Sequence, residues 1–197
     1  MHSPISSITC ALFSGRADIT RLMPVFTNTG IDRRYSCVPI DWYSEPHGWK
    51  DRTALYIENS VDLFEKVARA CLAQANLRPA DIDAIVTVST TGIATPSLDA
   101  LIVERMQLRR DIRRLPIFGL GCAGGVIGLS RAAQIASALP GANVLFLAVE
   151  LCALTFRKND VSKSNLVATA LFGDGAAGAI LSTEGTGPVV AASGEHT

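Results

Sequence analysis

Cys122 lies in "FGLGCAGGVIGL", residues 118 to 129, with Gly121 before it and Ala123, Gly124 and Gly125 after it. Two readings of a thiol in that setting stand side by side. One is packing, because cysteine is among the most buried residue types and fits a tight turn. The other is a nucleophile. "RLPIFGLG" reads as a strand, and residues 125 to 139 read as a helix that Pro140-Gly141 stops. A thiol at such a strand-to-helix junction can be presented from the turn toward a ligand. The positive end of a helix suits a thiolate, and its free backbone N–H groups can hold an oxyanion. Small neighbours let a substrate carbonyl approach the backbone closely. Composition and spacing leave both readings open.

A thiol nucleophile usually works with a base. The histidines are His2, His47 and His196, and two of them lie near the termini. His47 sits in "WYSEPHGW", a loop where an exposed or packing role is expected ahead of catalysis. No Cys-His protease signature is present. The five cysteines, Cys10, Cys37, Cys71, Cys122 and Cys152, are scattered and form no CxxC pair. That pattern fits neither a disulfide framework nor a zinc site, and a reducing cytoplasm is the simplest assignment.

The elements that must position these residues read as an α/β pattern. "LYIENSVDLFEKVARACLAQANL" is periodic at Ile57, Val61, Phe64, Ala68, Cys71 and Ala75, which predicts a helix with Cys71 in the core. "AIVTVS" reads as a buried strand, "TTGIATP" as a loop, and Ser97 as the cap of a helix over "LDALIVERMQL". "NVLFLAV" is a further apolar strand. "LVATALFGDGAAGAIL" contains a turn and a strand, and "GPVVAASG" reads as one strand more. Strands alternating with helices predict a mainly parallel five-stranded sheet covered on both faces.

The 197 residues are enough for a single domain with a real core, taken as 1–197. Apolar residues make up 48% and charged residues 18%, which excludes a disordered chain. Lys+Arg and Asp+Glu are 18 each, so no nucleic-acid partner is expected. The basic run "RRDIRR", Arg109 to Arg114, reads as a solvated connection ahead of a phosphate site. The longest apolar stretch, residues 142 to 156, is too short for a bilayer and contains Glu150, so no membrane span is expected. The start "MHSPISSITC" does not read as a signal peptide.

"GCAGG" at 121 to 125, "ELCALTF" at 150 to 156 and "LVATALFGDGAAGAIL" at 166 to 181 together resemble the type III polyketide synthases, the chalcone and stilbene synthase family. "NTGIDRRY", "PIDWY" and "STTGIATPSLD" resemble it too, especially its bacterial alkylresorcinol and alkylpyrone synthases. The resemblance implies a thiolase-like fold of two α/β halves, with this chain as the N-terminal half. It implies that Cys122 is the nucleophile, and that a His and an Asn come from the C-terminal half. Phe172 matches the gatekeeper between the coenzyme A tunnel and the cavity, with an ordinary core aromatic as its alternative. Thr90, Thr91, Cys152 and Thr155 match positions lining that cavity, and Thr91 and Cys152 depart from the plant pattern. Thr95 matches the loop that reaches the partner subunit of a homodimer. Arg21 matches one of the basic contacts to coenzyme A phosphates, while Pro24 and Asn28 occupy neighbouring positions. Asp174 and Gly175 are expected to shape a turn.

The implied activity is acyl transfer. Acyl-CoA would load onto Cys122 and condense with malonyl-CoA in the complete enzyme, with no metal or organic cofactor. Two rivals are a condensing enzyme like ketoacyl-ACP synthase III, which shares the fold and the cysteine, and a non-catalytic truncated fragment. "ELCALTF" favours the polyketide synthase over the first.

Overall fold

The computed structural model describes residues 24–160 and 162–195. Helix α1 is Pro24–Asn28, and α2 is the long helix Trp49–Ala75. Strand β1, Ala84–Ser89, leads through α3, Leu98–Arg105, to β2, Arg113–Phe118. Helix α4, Gly124–Ala138, precedes β3, Val144–Leu151. Helix α5, Lys163–Leu171, precedes β4, Asp174–Leu181. The chain divides into two compact units. One holds the residues up to Tyr56 together with Leu151–Gly175, and the other holds Ile57–Glu150 and the residues from Ala176 onward.

The second unit carries the sheet, whose strand order is β2-β1-β3-β4. β1 runs parallel to both neighbours, with Ser89 beside Phe118 and Val88 beside Ala148. All six residues of β1 are buried, as a central parallel strand under helices requires. Its even-numbered residues Ala84, Val86 and Val88 join Val144 and Phe146 of β3 against Ala132 and Ala136 of α4. Phe64 and Ala68 of α2 are fully buried, and Leu72 nearly so. These follow Val61 at helical spacing, so one face of α2 is core. Cys71, expected in that core, is half-buried instead. β2 is an edge strand, which explains how Pro116 fits inside it without removing a ladder bond.

The contact that sets the place of α4 is made by glycine. A Cβ on Gly124 would lie 2.8 Å from Val88 Cγ1. A Cβ on Gly128 would lie 2.5 Å from Val88 Cγ2 and 2.7 Å from Phe146 Cε2. Both residues are buried. The first turn of α4 therefore rests directly on β1, and the second on β1 and β3.

Three expectations differ from the structure. Among the described residues the sheet has four strands, because residues 187–194 form no ladder and Val189 is 86% exposed. Without a neighbour to take its hydrogen bonds, that short apolar run stays irregular. The stretch before "FGDG" is a helix, α5, whose start is capped by Ser162 Oγ accepting the Asn165 N–H at 3.2 Å. Ser97 does precede α3 in extended backbone, but its side chain makes no capping hydrogen bond.

The glycine contact yields a paired prediction. Gly128→Ala gains about 1 kcal/mol of helix propensity but overpacks the core, which costs about 1–3 kcal/mol. Val88 is β-branched and stiff, so the clash wins, and urea unfolding should show a net loss of about 1–2 kcal/mol. Gly125 has nothing within 4 Å of its would-be Cβ. Gly125→Ala should be neutral or stabilising by up to about 1 kcal/mol.

Candidate active site

Cys122 lies in a 3-10 turn, Gly121–Ala123, that runs directly into α4. Gly119 and Gly121 have φ of +82° and +55°, in the left-handed region where glycine is strongly favoured. These two residues turn the chain from the end of β2 into the helix within a few residues. Cys122 is exposed rather than packed among the described residues. Phe118, Leu120 and Val126, at 57%, 42% and 75% exposure, flank it in sequence and give the turn apolar neighbours. The expected role of small residues divides in two. Gly124 packs on the sheet, while Gly125 leaves the backbone open.

Thr90 and Thr91 follow β1 in the same compact unit as Cys122. Since Ser89 pairs with Phe118, both segments leave the sheet at the C-terminal ends of parallel strands, where α/β folds place ligands. Glu150, near the end of β3, holds this threonine pair. Its Oε2 accepts the Thr90 N–H at 3.1 Å and the Thr91 N–H at 3.0 Å. Thr90 Oγ1 is buried and has no hydrogen-bond partner among the described residues. Glu150 was not singled out as a site residue from sequence. The signal was there, as one carboxylate inside an otherwise apolar strand.

Cys152, Thr155 and Phe172 belong to the other unit. Cys152–Thr155 is a 3-10 turn, and Thr155, exposed, donates from its hydroxyl to the Cys152 carbonyl at 2.7 Å. Arg52 donates to the carbonyls of Leu154 and, at 3.1 Å, Phe156. Asp174 fixes the start of the turn. Its Oδ1 accepts the Ala153 N–H and its Oδ2 the Cys37 N–H, both at 2.7 Å. The Asp174 N–H donates to the Tyr35 carbonyl at 2.9 Å. Asp174 thus shapes the turn as expected, and clamps two loops as well. Burial pushes its carboxyl above the ordinary carboxylate range, against the pull of the two N–H donors. Phe172 caps α5 and is 47% exposed. Arg21 lies outside the described residues.

His47 has the packing role expected of it. Its ring stacks on Trp42 with centroids 3.9 Å apart, and its Nε2 meets the Trp42 carbonyl at 2.8 Å. The basic run is ion-paired in part, with Arg109 bound to Asp83 and Asp111, and Arg114 to the buried Asp99. Among the described residues no three His, Cys, Asp or Glu side chains gather as a metal site. Nor is any described helix long and apolar enough to cross a membrane.

The cysteines differ enough in setting to be told apart. Burial, followed by the Asp174 charge, pushes the Cys37 thiol up to about 12. Burial also raises Cys71. Limiting iodoacetamide at pH 7.5 should therefore alkylate exposed Cys122 well before either, read by peptide mapping. Faster labelling of Cys37 or Cys71 would contradict this. Separately, Asp174→Asn turns one acceptor oxygen into a donor facing an N–H. Leaving that buried N–H unpaired should lower stability by about 1–3 kcal/mol in urea unfolding.

Residues 42–185 match the N-terminal domain of the chalcone and stilbene synthases. The chain is 40% identical over 186 residues to the 1,3,6,8-tetrahydroxynaphthalene synthase of Streptomyces peucetius subsp. caesius, covering 91% of this chain and 49% of that protein. It is 35% identical over 176 residues to the enzyme of the same name from Streptomyces griseus, covering 89% and 47%. The crystal structure of 1,3,6,8-tetrahydroxynaphthalene synthase from Streptomyces coelicolor A3(2), a bacterial type III polyketide synthase, superposes with a TM-score of 0.87 at 30% identity. That superposition covers 93% of this chain and 54% of the other. The chain spans about half the length of the curated relatives it matches. Its glycine-flanked Cys122, its α/β sheet and these likenesses agree: the chain belongs to the chalcone and stilbene synthase family, the type III polyketide synthases.

Proposed function

We infer that this chain presents the acyl-accepting thiol of a type III polyketide synthase. The observation that carries the reading is the exposed Cys122 in the turn that opens α4. Its thiolate attacks the thioester carbonyl of an acyl-CoA. The backbone N–H groups at the start of α4 stabilise the tetrahedral oxyanion, and coenzyme A thiolate leaves. The acyl group then rests on Cys122 as a thioester. Condensation with malonyl-CoA follows in the complete enzyme, where a His and an Asn of the second half assist decarboxylation and hold the enolate oxygen. The working form is a homodimer in the cytoplasm, and Arg21 contributes to binding coenzyme A phosphates.

Thr90, Thr91, Cys152 and Thr155 line the growing chain, with Phe172 at the entrance. The unpartnered Thr90 hydroxyl supports this reading, since a buried hydroxyl without a partner is costly unless a ligand supplies one. Cysteine at 152 is smaller than a β-branched residue and less polar than threonine, which suits an alkyl starter.

The test of acyl loading is intact mass after incubation with a fatty acyl-CoA. The chain should gain one acyl group, and Cys122→Ala should gain none. Acylation that persists in Cys122→Ala would overturn the assignment. Residues 1–197 alone should release no tri- or tetraketide from acyl-CoA and malonyl-CoA. In the complete enzyme, fatty acyl-CoA should outcompete coumaroyl-CoA as starter, because each buried methylene contributes about 0.8 kcal/mol. Cys152→Phe should shift the preference to short starters. A parent that favours coumaroyl-CoA, or an unchanged chain-length profile in the variant, would remove Cys152 from that role.

A further inference from the structure

The unit that contains Trp42 and Trp49 also contains a cavity of about 330 Å³, at the small end of the range for small-molecule sites. None of its lining residues is assigned above to acyl transfer. Arg52, Arg157 and Lys158 line it, and Glu45 is the one carboxylate among the lining residues. In a chain of zero net charge, this is a local excess of cations.

Arg52 is already committed. It donates to the carbonyls of His47, Leu154 and Phe156, and stacks 5.0 Å from the Trp42 ring. Arg157 is held differently, with its guanidinium 5.6 Å over the Trp49 ring. Its charge lies close enough to Arg52 to lower that group further, after burial has done so. Two like charges thus face one cavity, a repulsion that a bound anion would relieve. Lys158 reaches the Ser44 carbonyl at only 3.4 Å, so its ammonium keeps donors to offer.

The apolar part of the cavity is aromatic. Tyr43 and Phe156 meet edge to face, with centroids 5.5 Å apart and planes at 89°. Trp49, 80% exposed, stands at the N-terminus of α2 with a broad face open. Aromatic faces bind a flat ring, and the paired cations bind an oxyanion. We propose that this cavity binds a small planar aromatic molecule carrying a carboxylate or phosphate. The ring packs against Trp49 and the Tyr43–Phe156 pair, and the anion lies between Arg157 and Lys158.

The chain provides its own probe, because Trp42 and Trp49 are its two tryptophans. Phenyl phosphate and benzoate are titrated separately, with phenol and inorganic phosphate as half-ligands, read by tryptophan fluorescence and calorimetry. At least one of the aryl anions should bind saturably at one site, and each half-ligand at least tenfold more weakly. The pair Arg157→Gln and Lys158→Gln should weaken aryl-anion binding at least tenfold with the far-UV spectrum unchanged. If that double variant does not fold, the single Lys158→Gln, at an exposed position, should still weaken binding severalfold. The proposal falls if neither aryl anion saturates. It falls equally if inorganic phosphate binds as well as phenyl phosphate, or if the folded variants bind undiminished.

Discussion

Two positions on α4 have no room for a methyl group, and much of the candidate site depends on that. Gly124 and Gly128 bring the helix backbone against Val88 and Phe146. Core packing is close to crystalline density, so a helix raised by one methyl group would shift as a body rather than deform locally. Its N-terminal turn would move with it, and Cys122 is in that turn. The left-handed Gly119 and Gly121 complete the arrangement, because the chain must reverse between β2 and α4 in a few residues. The glycines of "GLGCAGGVIG" thus serve different ends. Two bend the backbone, two make contact with the sheet, and Gly125 leaves the first turn of the helix open.

Beyond that contact, the loops at the strand ends are held by carboxylates gripping backbone. Glu150 takes two adjacent N–H groups after β1, and Asp174 takes two N–H groups from segments far apart in sequence. A charged acceptor makes a stronger bond than a neutral one, and two donors at one carboxylate offset part of its burial. Arg52 does the complementary work on the carbonyls of Leu154 and Phe156. The charged side chains, rather than the threonines and cysteine of these loops, satisfy the main chain at these points. Loops carried this way combine variable side chains with a fixed backbone.

The parts legible in sequence are those with strong local signals. β1 coincides with "AIVTVS", and β3 starts one residue into "NVLFLAV" and runs two residues past its end, through Glu150 and Leu151. The long helix follows from Val61, Phe64 and Ala68, although it starts at Trp49, well before the periodic stretch begins. Cys122 was legible as a junction residue from the strand and helix patterns on either side of its glycines, and it is exposed in the structure. What escaped depends on contacts distant in sequence. The clamp from Asp174 to Cys37 spans 137 residues, and no local pattern announces it. Helix α5 is short and rich in small residues, so its periodicity is weak and its Ser162 cap decides. Residues 187–194 have strand composition without a strand partner, and pairing is a property of the fold rather than of the segment.

The set of groups that the described residues present has a chemical logic. His47 is stacked on Trp42 and hydrogen-bonded to its carbonyl, so it is committed to structure. His2 and His196 lie outside the described residues. The described residues therefore offer an exposed thiol and helix-end N–H groups but no histidine free to shuttle a proton. Moving an acyl group from one sulfur to another asks for little more. One thioester is exchanged for another, the leaving group departs as a thiolate, and the developing charge is an oxyanion that backbone donors can hold. Forming a carbon–carbon bond asks for more, because an enolate must be generated and stabilised beside the loaded thioester, and that step draws on positioned acid–base and hydrogen-bonding groups. A tight helix–sheet contact is what the described residues supply, and it fixes where the Cys122 sulfur stands.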